Sequence, residues 1–475
     1  MTPIETEVAI VGSGFAGSLL AMILRRQGRS VLLVEKGRHP RFAIGESSTP
    51  LANILLEELA ARWDLPRVAP LSKWGTWRAA YPEVAVGLKR GFTFLRHEEG
   101  EPFAGDAARG DQLMVAASRR DEVADTHWYR PDFDHFLLRE AQALGAEFVD
   151  ETRLSGAERT ASGWRLTGSR RGRHVEATAS FLVDATGPHG FLHSLLGLGE
   201  GSYPNLPPTE ALYSHFEGVG RVDTMESTRG AFKGAPYPAD DAALHHVFPG
   251  GWVWVLRFSN GLVSAGVSAH AGLARELRFE EGAAAWERFL MRFPTIREQF
   301  ASARAVLPFF HLAPMSFRSL RAAGDGFALL PYAAGFVDPM LSTGFPLTLL
   351  GISRLAEALE AGWGSPDLGG RLAEYERRTL SERDAAALLV AALYRNFDDF
   401  DLFRRLSLLY FAAASWSETA RRLGRPEKAA SFLLNEDPAF GTALRECCRR
   451  ALARDGTPLS GEARAELVRL SLIHI

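Results

Sequence analysis

Residues 7–17 read EVAIVGSGFAG, a β-branched and aliphatic run that breaks into Gly12, Gly14 and Gly17 and then opens a helical pattern, SLLAMILRRQG. In a strand-to-helix turn the first glycine permits the sharp bend and the second lets backbone N–H groups approach a pyrophosphate. The third lets the helix pack close to its strand. Phe15 and Ala16 stand at the helix start, where unpaired N–H groups and the positive end of the helix dipole favour an anion. A second strand, RSVLLVEK, ends at Glu35, where a carboxylate can take the ribose hydroxyls of an adenosine. Strand, glycines, helix, strand and terminal acid together predict a dinucleotide-binding α/β core of Rossmann type.

Bulk properties narrow what such a core can serve. A chain of 475 residues with 46% hydrophobic content can bury a large interior. Its 54 basic and 57 acidic residues leave a formal charge of −3, so no global field recruits nucleic acid or an anionic membrane, and small ligands are favoured. The two cysteines, Cys447 and Cys448, are neighbours, which strains a mutual bridge; a reducing cytoplasm fits. The first apolar stretch is consumed by the first strand and has no basic leader, so no signal peptide is expected. The most apolar later stretch, 327–352, is interrupted by Pro331, Asp338, Pro339 and several glycines, so no membrane span is expected.

Along the chain, a helix over LANILLEELAARW is introduced by Ser48 and Thr49 as caps, with Pro50 in its first turn. Residues 131–149 read as helix and then extended chain, and GWRLTGS and HVEATASFLVDATG as extended segments. The run from Phe181 through Asp184 to Gly187 is a buried strand ending in a small-residue turn, as at the inner edge of a nucleotide sheet. Residues 205–320 form a second β-rich section in which Asn260-Gly261 marks a hairpin. A nucleotide-type segment returns at Phe327, and from about Leu355 the pattern is helical. The expected organisation is a core over 1–355, threaded by β-rich substrate sections at about 70–125 and 205–320, and a C-terminal helical region over 356–475. The tail aromatics Phe397, Phe400, Phe403, Tyr410, Phe411 and Trp416 are spaced for a buried helical face. His245 and His246 point to opposite faces of a strand, so they make no joint metal site, and no metal is expected.

RFAIGESSTP (41–50), FLVDATG (181–187) and AGFVDP (334–339) together resemble the flavin-dependent halogenases and their monooxygenase relatives, over most of the chain. The resemblance implies an FAD-binding core of the glutathione-reductase and monooxygenase type with an inserted mixed β-sheet. It places Gly45, Glu46 and Ser47 beside the flavin and adds Asp184, Gly187, Gly335 and Asp338 to the cofactor set. It also implies reduced FAD delivered by a separate NAD(P)H-dependent flavin reductase, a halide ion and a small aromatic substrate. No second GxGxxG followed by a helix is present for a nicotinamide domain.

Three details point to the phenol-acting branch. Trp252-Val-Trp254 is similar to the paired tryptophans of the family, and strand alternation puts both indoles on one face. Residues 87–94, GLKRGFTF, are similar to the segment carrying the essential lysine of phenol-acting halogenases, which implies that role for Lys89, with Lys73 in LSKWGTW as second choice. In a partly dry pocket the ammonium is disfavoured; it can donate a hydrogen bond to hypohalous acid, or its amine can react with it. Asp338-Pro-Met-Leu-Ser-Thr343-Gly344 precedes a helix, and the resemblance implies halide at Thr343 and Gly344. Leu341 stands where tryptophan-acting members carry glutamate, which favours a phenol-like or other electron-rich aromatic acceptor. Two departures accompany these matches: Leu256-Arg257 replaces Ile-Pro, and Pro331-Tyr332 replaces Gly-Asp. The reading is an FADH2-dependent halogenase; the alternatives are an FAD monooxygenase that hydroxylates a small aromatic molecule and a flavin-binding relative without turnover.

Overall fold

Continuous aliphatic runs, rather than alternating ones, build the first sheet because helices and a second layer cover both of its faces. The computed structural model describes residues 4–103, 105 and 109–454. Its central sheet runs β1 (Ile4–Val11), β2 (Val31–Val34) and Glu147–Val149 on one side, and Arg173–Asp184 and Phe327–Leu329 on the other, all parallel. Val8 pairs with both Phe181 and Val31, so β1 is the inner strand. Helix α1 (Phe15–Arg26) returns over the sheet and buries Leu19, Leu20, Ile23 and Leu24. A Cβ at Gly17 would sit 2.0 Å from the carbonyl oxygen of Gly12, which is why only glycine lets the helix start so close to the strand.

The second, eight-stranded sheet is mixed. Thr209–Glu217, Val263–His270, Gly251–Arg257 and Ala243–Phe248 are antiparallel neighbours, and Ala243–Phe248 continues in parallel onto Gly91–Arg96. The turn at Asn260-Gly261 joins two of these strands, with Gly261 at φ 84° and Asn260 Oδ1 accepting from Leu262 N. Val86–Lys89 and Asp125–Trp128 form a separate two-stranded ribbon. The β-rich 205–320 section also holds helices over Ala271–Leu277, Ala283–Arg292 and Pro294–Gln299, which the sequence analysis does not resolve. Their apolar faces, through Leu277, Trp286, Phe289 and Ile296, fill a core of their own behind the sheet.

The helix Pro50–Arg62 starts as its sequence signals: Thr49 Oγ1 accepts from Ala52 N at 3.2 Å, and Pro50 occupies the first turn. Three long helices, Gly344–Gly362, Leu368–Arg395 and Phe400–Arg422, pack across both sheets. One apolar cluster passes from Val8 and Ile10 through Trp128 and Phe133 to Trp252, Trp254, Phe403 and Tyr410, so nucleotide core, inserted sheet and tail share an interior. Trp416 departs from the expected buried face: it is 56% exposed, because it lies on the outward side of its helix while Ser417 and Ala420 of the same turns are buried. The part of the tail from 455 onward lies outside the described residues. Among the described residues no helix is long and apolar enough to cross a membrane, and no cluster of potential metal ligands occurs.

The contact at Gly17 is directly testable. Gly17→Ala must separate α1 from β1 and should cost about 1–3 kcal/mol, read as a lowered urea midpoint with an unchanged slope.

Candidate active site

The groove for a dinucleotide opens where the central strands end. Gly12, at φ +103°, lies so near Ala185 that a Cβ would meet the Ala185 oxygen at 2.6 Å, and Gly14 begins α1 with no side-chain cap. Phe15 packs edge-on against Trp128 and Phe345, and Ala16 is buried beside it. A Cβ on Gly14 would lie 3.6 Å from guanidinium nitrogens of both Arg130 and Arg41. Asp134 Oδ2 lies nearer still, at 3.4 Å, and both arginines are carboxylate-paired, so the free helix start, with these guanidinium groups beside it, is what suits a pyrophosphate. Beyond Gly187, at φ +91°, there is open space. These residues fit FAD.

Glu35 is buried at the end of β2. Its carboxylate accepts from Ser13 N and Oγ, Gly37 N and Arg41 Nη2. Burial raises its pKa, but the Arg41 charge and the backbone N–H donors outweigh that and hold it below the ordinary value. Asp184 holds its own loop, accepting from Thr186 N and Oγ1 and from Leu192 N, so its carboxyl shapes the turn instead of facing the groove. Arg130 clamps the loop that precedes the active site. It forms a two-pronged pair with Asp134, at 2.7 and 2.8 Å, and donates to Ile44 O and Gly45 O. The pair is buried.

That loop, with the inserted sheet, encloses a cavity of about 80 Å³. Gly45, Glu46 and Ser47 form one wall and Trp252, Trp254, Tyr213 and His245 another; Tyr332, Ser342 and Gly344 close an end. The two indole rings are 5.7 Å apart on the same face of Gly251–Arg257. Trp254 Nε1 donates to Ser264 Oγ, and Trp252 Nε1 donates to Tyr394 Oη. Glu46 Oε1 lies 2.8 Å from His215 Nε2, both side chains being fully buried; Glu46 Oε2 has no partner among the described residues. His245 lies flat against Phe94, and burial lowers its pKa to about 3, so it is a neutral ring.

Lys89 is fully buried one side chain behind this wall. Its Nζ donates to Ser47 Oγ at 2.8 Å and to Ser48 O at 2.5 Å, and sits 3.8 Å above the Phe92 ring. Desolvation lowers its pKa to about 7, against the opposite pull of Asp125, its cross-strand partner. Asp125 is itself raised by burial, and Asn53 donates to it at 2.6 Å. Gly87 lets the lysine strand reach this place: a Cβ there would be 2.0 Å from the oxygen of Arg257. The departure at Arg257 is therefore structural, since its guanidinium is held by Asp240 and Val219 O below the sheet. Lys73 is elsewhere, paired with Glu57 at 2.8 Å.

The segment 338–344 closes the cavity. Tyr394 Oη donates to Asp338 Oδ2 at 2.7 Å, and Met340 N and Ser268 Oγ also donate to this carboxyl. Asp338 thus ties the turn to Trp252 through Tyr394; burial raises its pKa to about 7. Thr343 and Gly344 start the Gly344–Gly362 helix with no side-chain cap. The ring of Tyr332 lies between Gly344 and Gly45, with a Cβ on each glycine placed 2.6 and 3.3 Å from its atoms. Gly335 abuts the buried guanidinium of Arg383.

Over residues 7–329 the chain matches the family described as FAD dependent oxidoreductase, and it belongs to that family. Within it, the relatives are flavin-dependent halogenases. Monodechloroaminopyrrolnitrin halogenase PrnC of Pseudomonas fluorescens is 29% identical over 92% of this chain and 77% of its own. Tetracycline 7-halogenase of Kitasatospora aureofaciens is 28% identical over 86% of this chain and 73% of its own. Among solved structures, halogenase PltM in complex with phloroglucinol and FAD superposes with a TM-score of 0.86 at 25% identity, covering 99% of this chain and 96% of that one.

Sequence reasoning missed Tyr213, His215 and Tyr394. The alternation in Thr209–Glu217 put Ala211, Tyr213 and His215 on one face and was a usable signal. Nothing local connects Tyr394 to Asp338. Two substitutions test this construction. Gly266→Ala places a methyl 2.5 Å from the Trp254 ring and should displace it, seen as a changed tryptophan emission maximum in an otherwise folded protein. Arg130→Met strands the buried Asp134 and should cost about 3–5 kcal/mol in denaturant unfolding.

Proposed function

We propose that this chain is an FADH2-dependent halogenase of a phenol-like or other electron-rich aromatic compound. The observation that carries the reading is Lys89, a desolvated amine bonded to Ser47 of a cavity walled by Trp252 and Trp254. When bound, reduced FAD with O2 supplies the two-electron oxidation that turns halide into an electrophilic halogen. Gly12, Gly14, Phe15, Ala16, Gly17 and Glu35 hold its adenosine and pyrophosphate end. Gly45, Glu46, Ser47, Asp184, Gly187, Gly335 and Asp338 shape the rest of its path, and Thr343 and Gly344 hold the halide.

The remaining work is placement. Ser47 Oγ accepts from Lys89, so its own hydrogen is free to point into the cavity. Ser47 Oγ, held from behind by Nζ, orients hypohalous acid. As the aromatic carbon bonds to halogen, the oxygen–halogen bond breaks, the leaving hydroxide takes a proton to become water, and the ring loses its own proton. The unpartnered Glu46 Oε2 offers an acceptor to a substrate hydroxyl, which supports a phenolic substrate. The indoles exclude water from the route, so that a promiscuous oxidant meets one carbon. A separate NAD(P)H-dependent reductase supplies the reduced flavin, in a cytoplasmic setting, as the likeness to the halogenases implies.

Supplied with reduced FAD, O2, bromide and phloroglucinol, the protein should yield a bromoarene detectable by mass spectrometry. Lys89→Ala should lower that yield by about 100-fold or more while reduced FAD is still consumed. A hydroxylated product indifferent to bromide would establish the monooxygenase reading instead. The lysine also sets a pH dependence. Burial disfavours the ammonium and Asp125 favours it, so halogenation, which uses the ammonium's hold on Ser47, should fall as pH rises through the pair's titration, below the ordinary lysine range. A rate unchanged from about pH 6 to about pH 9 contradicts the donor role.

A further inference from the structure

Asp125, the cross-strand partner of Lys89, is buried against Asn53 of the Pro50–Arg62 helix, with 4% and 3% of their surfaces exposed. Asn53 Nδ2 donates to Asp125 Oδ1 at 2.6 Å. That bond leaves two buried oxygens, Asp125 Oδ2 and Asn53 Oδ1, which have no donor among the described residues. An ionised carboxyl and an amide oxygen both only accept, so neither can serve the other. Two stranded acceptors are costly in a dry interior. A proton on Asp125 Oδ2 turns one of them into a donor, and a carboxylic acid and a carboxamide pair edge to edge through two such bonds.

The hydrogens of Lys89 fit the same state. Among the described residues Nζ has two acceptors, Ser47 Oγ and Ser48 O. A neutral amine carries two hydrogens to match them; an ammonium carries a third, for which only the face of Phe92 stands near. Nζ bonds neither oxygen of Asp125, so the two groups act on each other through charge across the ribbon. Besides Lys89, the groups facing Asp125 are Tyr410, Glu418 and Arg422 of the Phe400–Arg422 helix, and His127 and His245 face Lys89. Glu418 accepts from Arg422, and burial keeps both histidines neutral, so Lys89 and Asp125 are left to balance each other. Burial pushes the Asp125 carboxyl up and the Lys89 ammonium down, which favours the uncharged form of each.

We propose that Asp125, held as a carboxylic acid by Asn53, trades its proton with Lys89, so that the two together keep one proton and no net charge in the dry wall. Asp125 is the acid while Lys89 is the amine, and an ammonium at Nζ is matched by a carboxylate at Asp125. In the exchange the O–H bond at Oδ2 breaks with its electron pair left on oxygen, and an N–H bond forms at the nitrogen lone pair. Asp125 does not line the tryptophan-walled cavity. It is a positioning residue that sets how readily Lys89 presents an ammonium to Ser47. The shared proton is a property of the fold; its use in turnover rests on the halogenase reading.

Neutron diffraction from crystals of the full chain, exchanged into deuterium oxide at neutral pH without flavin, should show one deuterium on Asp125 Oδ2 and two on Lys89 Nζ. A bare carboxylate, or an ammonium beside the acid, overturns the proposal. Asp125→Asn keeps a donor and an acceptor toward Asn53 but can never become a charge. With reduced FAD, O2, bromide and phloroglucinol, this variant should move the falling limb of the halogenation pH profile down by about 1 unit or more. A limb that stays in place in the folded variant also overturns it; should the variant fail to fold, the wild-type neutron map decides alone. Deuterium on Asp125 without any bromoarene in turnover keeps the shared proton and removes the halogenase reading, and bromoarene formed with Asp125 ionised does the reverse.

Discussion

Holding a primary amine in a dry wall is the constraint around which this protein is arranged. A solvated lysine would gain nothing from Trp252, Phe92 or the apolar cluster, and it would leave the cavity open to water. Buried as it is, Lys89 needs acceptors for its hydrogens and a counter-charge within the same ribbon. Ser47 Oγ, Ser48 O and Asp125 meet those needs. Two of these three lie on the loop between β2 and the Pro50–Arg62 helix, so the nucleotide half of the molecule supplies the environment for a residue of the inserted half.

That dependence explains the clamps. Arg130, at the start of the helix leading back into the nucleotide core, fixes Ile44 and Gly45 while paired with Asp134. Trp128, the last residue of the ribbon, stacks on Phe345 at 4.0 Å and donates to Thr126. On the opposite wall, Tyr394 of the tail helix connects Trp252 to Asp338. The long C-terminal helices are thus part of the cavity's construction, not a covering laid over it. Among the described residues, buried Glu46 Oε2 and all three guanidinium nitrogens of Arg383 lack a protein partner, and both side chains line cavities.

Much of this was legible in the sequence. The glycine spacing in EVAIVGSGFAG, the run ending at Glu35 and the return of an aliphatic strand at Phe327 specify local backbone geometry, and the central sheet follows from them. Trp252 and Trp254 shared a face because strands alternate, and GLKRGFTF marked Lys89 by its flanks. What stayed hidden depends on contacts between distant segments. No local pattern says that Asp184 and Asp338 turn their carboxyls into the protein, that Arg257 anchors to Asp240, or that Tyr394 bridges to a turn 56 residues earlier. Trp416 shows a further limit: it was grouped with the buried aromatics by spacing, but Ser417 and Ala420 turn inward at that level of the helix and Trp416 turns out.

The central claim is that Lys89 is a desolvated amine beside the cavity, and its side-chain titration tests this most directly. The chain has five lysines, so selective 13C labelling at lysine Cε gives a resolvable NMR spectrum. Lys89→Arg identifies the resonance by its disappearance. The account predicts one lysine, Lys89, titrating well below the ordinary lysine range. A Lys89 resonance that titrates in the ordinary lysine range would contradict it.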